Sequence, residues 1–184
     1  YKAWGHVINS NMRGAYYEFG IYKGSSFRES FLAYQLYVSW MYSQSTSSEM
    51  WRRKIKWDSD HYFYAFDTFE GMPDNLEHNE HFPQGSFLGS LENVKLEGEK
   101  VGMYEGESVK YFKGIFSEVS KHNSTGIAKL QPAAIVNIDS DLYMSACDAL
   151  EIVKPKLQQG TILMMDDWNC FRADNNQGER RALR

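Results

Sequence analysis

The amino-acid sequence predicts an α/β fold in which a doubly wound, mostly parallel sheet carries helices on both faces. Two observations predict it. Short apolar runs alternate with segments of helical periodicity, which is typical of βαβ units with right-handed crossovers. The runs AAIVNI and TILMM are almost continuously apolar, as expected of central parallel strands buried on both faces.

Five strands are predicted, each from an apolar run. Their bounds are Ala15–Phe19, His61–Phe66, Lys100–Tyr104, Ala134–Ile138 and Thr161–Met165. In doubly wound sheets, ligands bind beyond the carboxyl ends of the strands. The residues that follow each predicted strand are therefore the first candidates for a functional site.

Three helices are predicted from apolar residues that recur at steps of three and four. These positions are 27, 31, 34, 38 and 41 in the first helix, 109, 112, 116 and 119 in the second, and 146, 150, 153 and 157 in the third. Ser26 forms a capping-box pattern with Glu29 at the start of the first helix, and Ser145 precedes the third.

The composition indicates one globular domain without a nucleic-acid or membrane partner. The 184 residues carry 20 Lys and Arg against 24 Asp and Glu, and this net charge of −4 argues against nucleic-acid binding. No window is long and apolar enough for a transmembrane helix, and the N-terminus lacks the pattern of a signal peptide. The two cysteines form no CxxC pair. A cytoplasmic location is expected.

The first predicted strand ends in an acidic residue and a glycine turn. Glu18, Gly20 and Gly24 lead into the first helix in an E-x-G-x-x-x-G pattern, which differs from the G-x-G-x-x-G pattern of a pyrophosphate cradle. The glycines allow a ligand to approach the backbone, and the carboxylate suits a cationic group such as the amino group of a methionine-derived ligand. A plain tight turn between strand and helix is the alternative.

Acidic residues also follow the second and third predicted strands. Asp67 stands where a carboxylate can accept both hydroxyls of a ribose, although a turn or capping role is the alternative. Glu105 and Gly106 follow the third strand and would reach the adenine side of the same ligand, while Ser108 could cap the next helix.

The strongest indication of a functional site in the sequence follows the fourth and fifth predicted strands. Asp139 and Asp141 follow one strand, and Asp166 and Asp167 follow the other. Neighbouring strands lie about 4.8 Å apart, so four carboxylates would crowd one edge of the sheet and raise one another's pKa unless a cation intervenes. Ligands that offer only oxygen suit Mg²⁺ or Ca²⁺ rather than zinc. Helix capping by Asp141 or Asp167 is the alternative.

Two further segments are candidates for binding surfaces. The stretch Gly71–Val94 is long for a loop, carries His78, His81, Phe82 and Phe87, and could close over a ligand. The side chains of Trp40, Trp51 and Trp57 leave room for self-association into a homo-oligomer.

Taken together, these residues resemble the metal-dependent O-methyltransferases of the macrocin (TylF-type) family, which use S-adenosylmethionine to methylate sugar hydroxyls. The matching motifs are YEFGIYKGSS at 17–26, FDTFEGMP at 66–73, GSLENVK at 89–95, IDSDLYMSACDAL at 138–150 and MMDDW at 164–168. The resemblance implies a Rossmann-like class I methyltransferase fold over residues 1–184, a single domain that we expect to be incomplete at both ends.

The resemblance also assigns roles to individual residues. It implies that the methionine part of S-adenosyl-L-methionine lies against Glu18, Gly20, Gly24, Ser25 and Ser26. The ribose would lie at Asp67, and the adenine at Glu105 and Gly106. A divalent ion, Mg²⁺ or another hard cation, would be bound by Asp139, Asp166 and Asp167. Asp141 matches the proposed general base, next to the catalytic ligand Asp139; other members use a histidine.

The expected function is therefore O-methylation of a hydroxyl on a sugar or another vicinal-diol small molecule, in the tailoring of a natural product or polysaccharide. Two alternatives remain. Asp139-Ser-Asp141 matches the D-x-D motif of a metal-dependent nucleotide-sugar glycosyltransferase, although that motif leaves Glu18 and Asp166–Asp167 unexplained. A non-catalytic ligand-binding protein of the same fold is the other.

Overall fold

The computed structural model describes residues 2–43, 61–74 and 82–184, and the described strands form one five-stranded sheet. The strands are β1 (Ala15–Phe19), β2 (Phe63–Asp67), β3 (Val109–Lys113), β4 (Ala133–Ile138) and β5 (Ile162–Met165). They lie in the order β3-β2-β1-β4-β5, and all neighbouring pairs are parallel. The predicted fold class is confirmed, and so are four of the predicted strands, to within two residues.

The third predicted strand is wrong, and so is the first half of the second predicted helix; its positions 116 and 119 do lie in a helix, Phe116–His122. Lys100–Tyr104 forms turns after a helix that ends at Glu99, and the third strand is Val109–Lys113. The spacing of Val109 and Phe112 fits a helix, but in β3 these side chains reach the two opposite cores, one on each face of the sheet. A strand covered on both faces does not need alternating polarity, so its pattern is easily mistaken for a helical one.

Helices cover both faces of the sheet. The described α-helices are α1 (Lys2–Asn9), α2 (Ser25–Ser43), α3 (Leu91–Glu99), α4 (Phe116–His122), α5 (Ser124–Ala128), α6 (Tyr143–Val153) and α7 (Gly178–Ala182). Side chains of α1, α2 and α3 pack with Tyr16 and Phe63 in one core, and side chains of α4, α5 and α6 pack with Tyr17 and Phe19 in the other. Successive residues of β1 therefore point into different cores.

Two predicted helix starts differ from the structure. α2 begins at Ser25, so Ser26 lies inside its first turn, and its hydroxyl donates a hydrogen bond to Glu18 instead of capping the helix. α6 begins at Tyr143, two residues before Ser145, and has no side-chain cap.

Two expectations from the sequence, on membrane spans and on self-association, concern the surface of the protein. None of the helices in the described ranges combines the length and apolar character needed to cross a bilayer. Trp40 is 55 % exposed near the end of α2, beside Leu36, which is also exposed. Trp51 and Trp57 lie outside the described residues, so the homo-oligomer stays a prediction.

Candidate active site

A cavity of about 300 Å³ opens at the carboxyl end of the sheet, between β1 and β4. The chain proceeds from β1 to β2 on one side and reaches β4 on the other, so this is the topological switch point where doubly wound sheets bind ligands. The described residues that line it are Gly20, Tyr22, Asp67, Thr68, Met72, Pro73, Phe87, Phe116, Asp139, Ser140, Asp141, Asp166 and Asp167.

The four aspartates that follow β4 and β5 all line this cavity. Backbone hydrogen bonds extend the sheet to them, since the amide of Asp139 donates to Phe19 O at 2.8 Å and the amide of Asp166 donates to Ile138 O at 3.0 Å. The two acidic pairs are also joined, because the amide of Asp141 donates to Oδ2 of Asp167 at 3.1 Å. The structure thus brings these carboxylates to one edge of the sheet, as the strand pattern predicts.

Burial and mutual repulsion change the protonation of this cluster. Burial, reinforced by the carboxylates of Asp166 and Asp167, raises the pKa of Asp139 to about 6. Burial and the neighbouring Asp167 raise the pKa of Asp141 to about 7. Asp141 also has a φ of 59°, in the left-handed region that a non-glycine residue rarely adopts. Such strain is often found at functional sites, where the surrounding structure holds it in place.

A fifth carboxylate, which the sequence patterns missed, lies beside these four. Glu179 in α7 is 1 % exposed, and burial together with Asp167 raises its pKa to about 8. Neither carboxyl oxygen accepts a hydrogen bond of good geometry from the described residues. Glu179 stands in the charged stretch GERR, which has no apolar periodicity, so only the tertiary structure reveals its burial.

The carboxylates lie at or beside one cavity, but they do not converge on a single point as the ligands of a metal ion would. In the described part of the chain, no three His, Cys, Asp or Glu side chains form a group that could hold a metal ion. The chemistry of the cluster still fits a hard cation, because the donors are all oxygens and Glu179 is buried without a partner for its charge. Asp139, Asp166 and Asp167 are thus suited to a divalent ion by chemistry and location rather than by a preformed geometry.

Position 20 requires a glycine for a structural reason that the sequence did not reveal. Its φ is 89°, and a Cβ at this position would lie 1.7 Å from the carbonyl oxygen of Asp139. A close approach therefore occurs at Gly20, but the group that approaches is the backbone at the end of β4; the approach of a ligand stays a prediction. Gly20 lets the ends of β1 and β4 come together at the floor of the cavity.

The other predicted residues of the β1 turn lie beside the cavity rather than in its lining. Glu18 is fully buried and accepts hydrogen bonds from the hydroxyls of Tyr16 and Ser26. Burial raises its pKa to about 7, and the two hydroxyl donors oppose that shift. Gly24 has a φ of 74°, a Cβ there would lie 3.0 Å from Cγ1 of Val94, and the next residue, Ser25, starts α2. Their contacts with a donor stay predictions.

Asp67 lines the cavity and also holds two turns together. Its Oδ2 accepts from the amides of Ile21 at 2.6 Å and Tyr22 at 2.9 Å, and its Oδ1 accepts from the amide of Phe69 at 2.6 Å. Three of about four acceptor positions on the carboxylate are thus filled by backbone. One acceptor position remains for a hydroxyl of a ligand. Asp67 can therefore accept one ribose hydroxyl rather than the predicted two.

Glu105 and Gly106 are at the wrong end of the sheet for their predicted role. Because the third strand is β3, they precede it, and Glu105 pairs with Lys95 at 2.6 Å. The five residues of β3 separate them from the cavity by roughly 15 Å. Ser108 does not cap a helix either, since its hydroxyl accepts from the amide of Tyr104 within a turn. The predicted adenine contacts at Glu105 and Gly106 are therefore wrong.

A wider groove of about 920 Å³ continues from the cavity across the ends of β2 and β3. Thr68, Met72 and Pro73 line both spaces. Backbone hydrogen bonds join residue 72 to residues 85 and 86. The amide of Met72 donates to Ser86 O at 2.7 Å, and the amide of Gly85 donates to Met72 O at 2.9 Å. Described residues between 71 and 90 thus border the site, whereas the last residues of the predicted loop belong to α3.

Phe87 from this loop and Tyr22 line the cavity, and a second aromatic pair of the same region lies outside its lining. The Phe87 ring lies at right angles to that of Tyr22, with centroids 5.8 Å apart. Phe82 lies 5.9 Å from Phe171, in the segment after β5. His78 and His81 fall outside the described residues. The site therefore has an acidic floor and an aromatic rim.

Comparison with known proteins identifies the family. The sequence model of the Macrocin-O-methyltransferase (TylF) family matches residues 54–179, more than half of the chain. The chain belongs to the TylF family. The match includes four of the five strands, from β2 to β5, together with the four aspartates and Glu179. The acidic floor therefore lies within the family region.

One curated protein is similar in sequence. Over 113 residues the chain is 30 % identical to the 8-demethyl-8-(2,3-dimethoxy-alpha-L-rhamnosyl)-tetracenomycin-C 4'-O-methyltransferase of Streptomyces olivaceus. The match covers 57 % of this chain and 41 % of that relative. The chain therefore spans about two fifths of the curated relative.

Solved structures have the same fold. The O-methyltransferase NovP matches 99 % of this chain and 66 % of its own, with a TM-score of 0.68 and 20 % identity. The calicheamicin methyltransferase CalS11 matches 91 % of this chain and 62 % of its own, with a TM-score of 0.65 and 18 % identity. At this identity the likeness establishes the fold alone, and it confirms the Rossmann-like architecture predicted above.

Proposed function

We propose that the protein is an S-adenosylmethionine-dependent O-methyltransferase that acts on a hydroxyl of a sugar or another vicinal-diol small molecule. The observation that carries the proposal is the acidic cavity at the switch point of a TylF-family sheet. A methyl donor and an acceptor must meet there in line, and a rigid cavity supplies that alignment.

The donor would lie at the β1 end of the cavity. The turn at Gly20, with Glu18 and Ser26 behind it, would face the methionine part, and Ser25 and Gly24 would shape the same turn. The remaining acceptor position of Asp67 would take one ribose hydroxyl. The groove beyond Thr68 gives room for the adenine at the carboxyl ends of β2 and β3.

The acceptor would lie over the acidic floor. Asp139, Asp166 and Asp167 would hold a divalent cation such as Mg²⁺, which lowers the pKa of a hydroxyl that it binds. Asp141 is the residue that takes the proton, since its carboxyl group lines the cavity beside Asp139 and its backbone is held against Asp167. The acceptor oxygen forms its bond to the methyl carbon while the carbon–sulfur bond breaks, and S-adenosylhomocysteine leaves.

The relatives suggest which acceptors to test first. The Streptomyces olivaceus relative is named for a rhamnosyl substrate, and one CalS11 structure is described as that of a TDP-rhamnose 3'-O-methyltransferase. A rhamnose-type deoxysugar with adjacent hydroxyls is therefore the first candidate. Tailoring of a natural product or a polysaccharide is the setting that this chemistry suits.

A methyl-transfer assay tests the proposal directly. Transfer of a labelled methyl group from S-adenosylmethionine to rhamnosides is expected in Mg²⁺ and absent in a chelator. Asp139→Asn and Asp166→Asn should lower turnover by at least about 100-fold while S-adenosylhomocysteine affinity changes little. Asp148→Asn is the matched control, because Asp148 lies on α6 outside the cavity lining. Unchanged turnover in either cavity variant would contradict the cation mechanism.

Calorimetry separates the alternatives. S-adenosylhomocysteine should bind, and UDP in Mg²⁺ should not. Tight UDP binding without a response to S-adenosylhomocysteine would reject the methyltransferase and support a glycosyltransferase built on Asp139-Ser-Asp141. Binding of S-adenosylhomocysteine without methyl transfer to any diol would support a non-catalytic member of the fold.

A further inference from the structure

Glu179 is a buried acid whose two carboxyl oxygens have no hydrogen-bond donor of good geometry among the described residues. It is 1 % exposed, and the backbone amide of Asp167 only partly favours its charged form. Removing a carboxylate from water without a partner is costly, so such a group needs a counter-charge or a proton. The charges that act on it most strongly are all negative, so the described residues supply no strong counter-charge.

The short helix that carries Glu179 is fixed by its neighbours. The Nε of Arg180 donates to Trp168 O at 2.6 Å, and its guanidinium lies 4.7 Å from the centroid of the Trp168 ring. The guanidinium of Arg181 lies 3.8 Å from the centroid of the Tyr143 ring. Both arginines are therefore engaged elsewhere, and they hold α7 against the segment that follows β5 and the start of α6.

This anchoring places Glu179 next to the acidic floor, since a Cβ at its neighbour Gly178 would lie 3.7 Å from the carbonyl oxygen of Asp141. The strongest electrostatic neighbours of Glu179 are Asp167, Asp139 and Asp166, three carboxylates that line the cavity. A second buried polar group lies in the same place: Ser140 is 7 % exposed, lines the cavity, and its hydroxyl has no partner among the described residues. Two unsatisfied polar side chains thus surround a cluster that already has an excess of negative charge.

We propose that Glu179 is a fifth carboxylate of the cation site, where it adds negative charge beside Asp167 and strengthens the binding of a divalent cation. The inference rests on the proposed function and deepens it, since it adds a residue from outside the two strand-end pairs. A cation between these groups would supply the missing counter-charge for Glu179 and for the four aspartates together.

Titration of the intact protein with Mn²⁺, followed by the electron paramagnetic resonance of the free ion, tests the proposal. Glu179→Gln keeps the size and polarity of the side chain but removes its charge, and it should weaken Mn²⁺ binding by about 10-fold or more. Glu151→Gln is the matched control, because Glu151 is an exposed acid on α6 that pairs with Lys154. Its Mn²⁺ affinity should stay within about twofold of the wild type.

Thermal unfolding gives a readout that a merely structural role would not reproduce. Without metal, Glu179→Gln should melt at or above the wild-type temperature at neutral pH, because the wild-type carboxyl group must either hold a proton or stay as an unpaired buried charge, and the amide avoids both costs. With saturating Mn²⁺ the wild type should gain more in melting temperature than the variant. A variant that is less stable in both conditions but binds Mn²⁺ as tightly as the wild type would overturn the proposal.

Two further outcomes are distinguishable. If the wild type binds S-adenosylhomocysteine but no divalent cation, both the cation mechanism and the role of Glu179 are rejected, while the donor site stands. If Glu179→Gln does not fold, Glu179→Asp replaces it, since it withdraws the carboxylate by one methylene but keeps its charge. Weaker Mn²⁺ binding by that variant supports the proposal, and unchanged binding rejects it.

Discussion

Replacement of Gly20 by alanine tests how the floor of the cavity is built. A Cβ at Gly20 would lie 1.7 Å from the carbonyl oxygen of Asp139, so the two must separate by more than 1 Å to reach even 3.0 Å. The movement endangers two backbone hydrogen bonds, from the Asp139 amide to Phe19 O and from the Gly20 amide to Phe66 O. These bonds join β1 to both of its neighbours.

The cost can be worked out from these contacts. A side chain at a φ of 89° costs about 1–2 kcal/mol in backbone strain, and each hydrogen bond contributes about 1 kcal/mol net. The expected loss of unfolding free energy for Gly20→Ala is therefore about 3–4 kcal/mol. Gly106→Ala is the control, because Gly106 has a φ of 87° and a Cβ there would meet no described atom within 4 Å, so this variant should lose only the strain.

Urea unfolding monitored by circular dichroism measures both variants. Gly20→Ala should be less stable than Gly106→Ala by about 2 kcal/mol, which is the part due to the close approach of Asp139. Equal losses in the two variants would refute the reasoning, because they would mean that Gly20 is required only for its dihedral angle.

Two other predictions follow from the charges of the site. Asp67→Asn turns one backbone-bound oxygen into a donor that faces amides, and it should cost about 2–3 kcal/mol in urea unfolding; a loss under about 0.5 kcal/mol would contradict its role between the turns. Without metal, stability should fall as the pH rises from about 5 to 8, because the pKa values of Asp139, Glu18, Asp141 and Glu179 are raised to about 6, 7, 7 and 8, so the folded state keeps protons that the unfolded state has lost. Saturating Mg²⁺ should remove most of that slope, and thermal melts that instead rise over this range would contradict the assignment.

The acidic floor was predictable because each pair follows an apolar strand. Asp139 comes directly after the buried strand β4 and Asp166 directly after the half-buried edge strand β5, and parallel strands bring their carboxyl ends to one edge. Local pattern and fold topology were sufficient for this part of the site. The same logic failed at Glu105, because the strand that contains Val109 and Phe112 is covered on both faces and has the spacing of a helix.

Other features depend on contacts between distant parts of the chain. Asp67 accepts hydrogen bonds from the amides of Ile21 and Tyr22, more than 40 residues away, and nothing in the local sequence marks that partnership. Glu179 is buried because α7 packs against α6 and against the segment that follows β5. A charged stretch without apolar periodicity predicts a solvated face, and tertiary packing overrides that expectation.

A crystal structure of the protein with S-adenosylhomocysteine and Mn²⁺ tests the central claim most directly. Anomalous scattering should locate one ion bound by Asp139, Asp166 and Asp167, with the homocysteine sulfur in the same cavity beside the Gly20 turn. An ion bound elsewhere, or S-adenosylhomocysteine bound with its sulfur outside that cavity, would contradict the account.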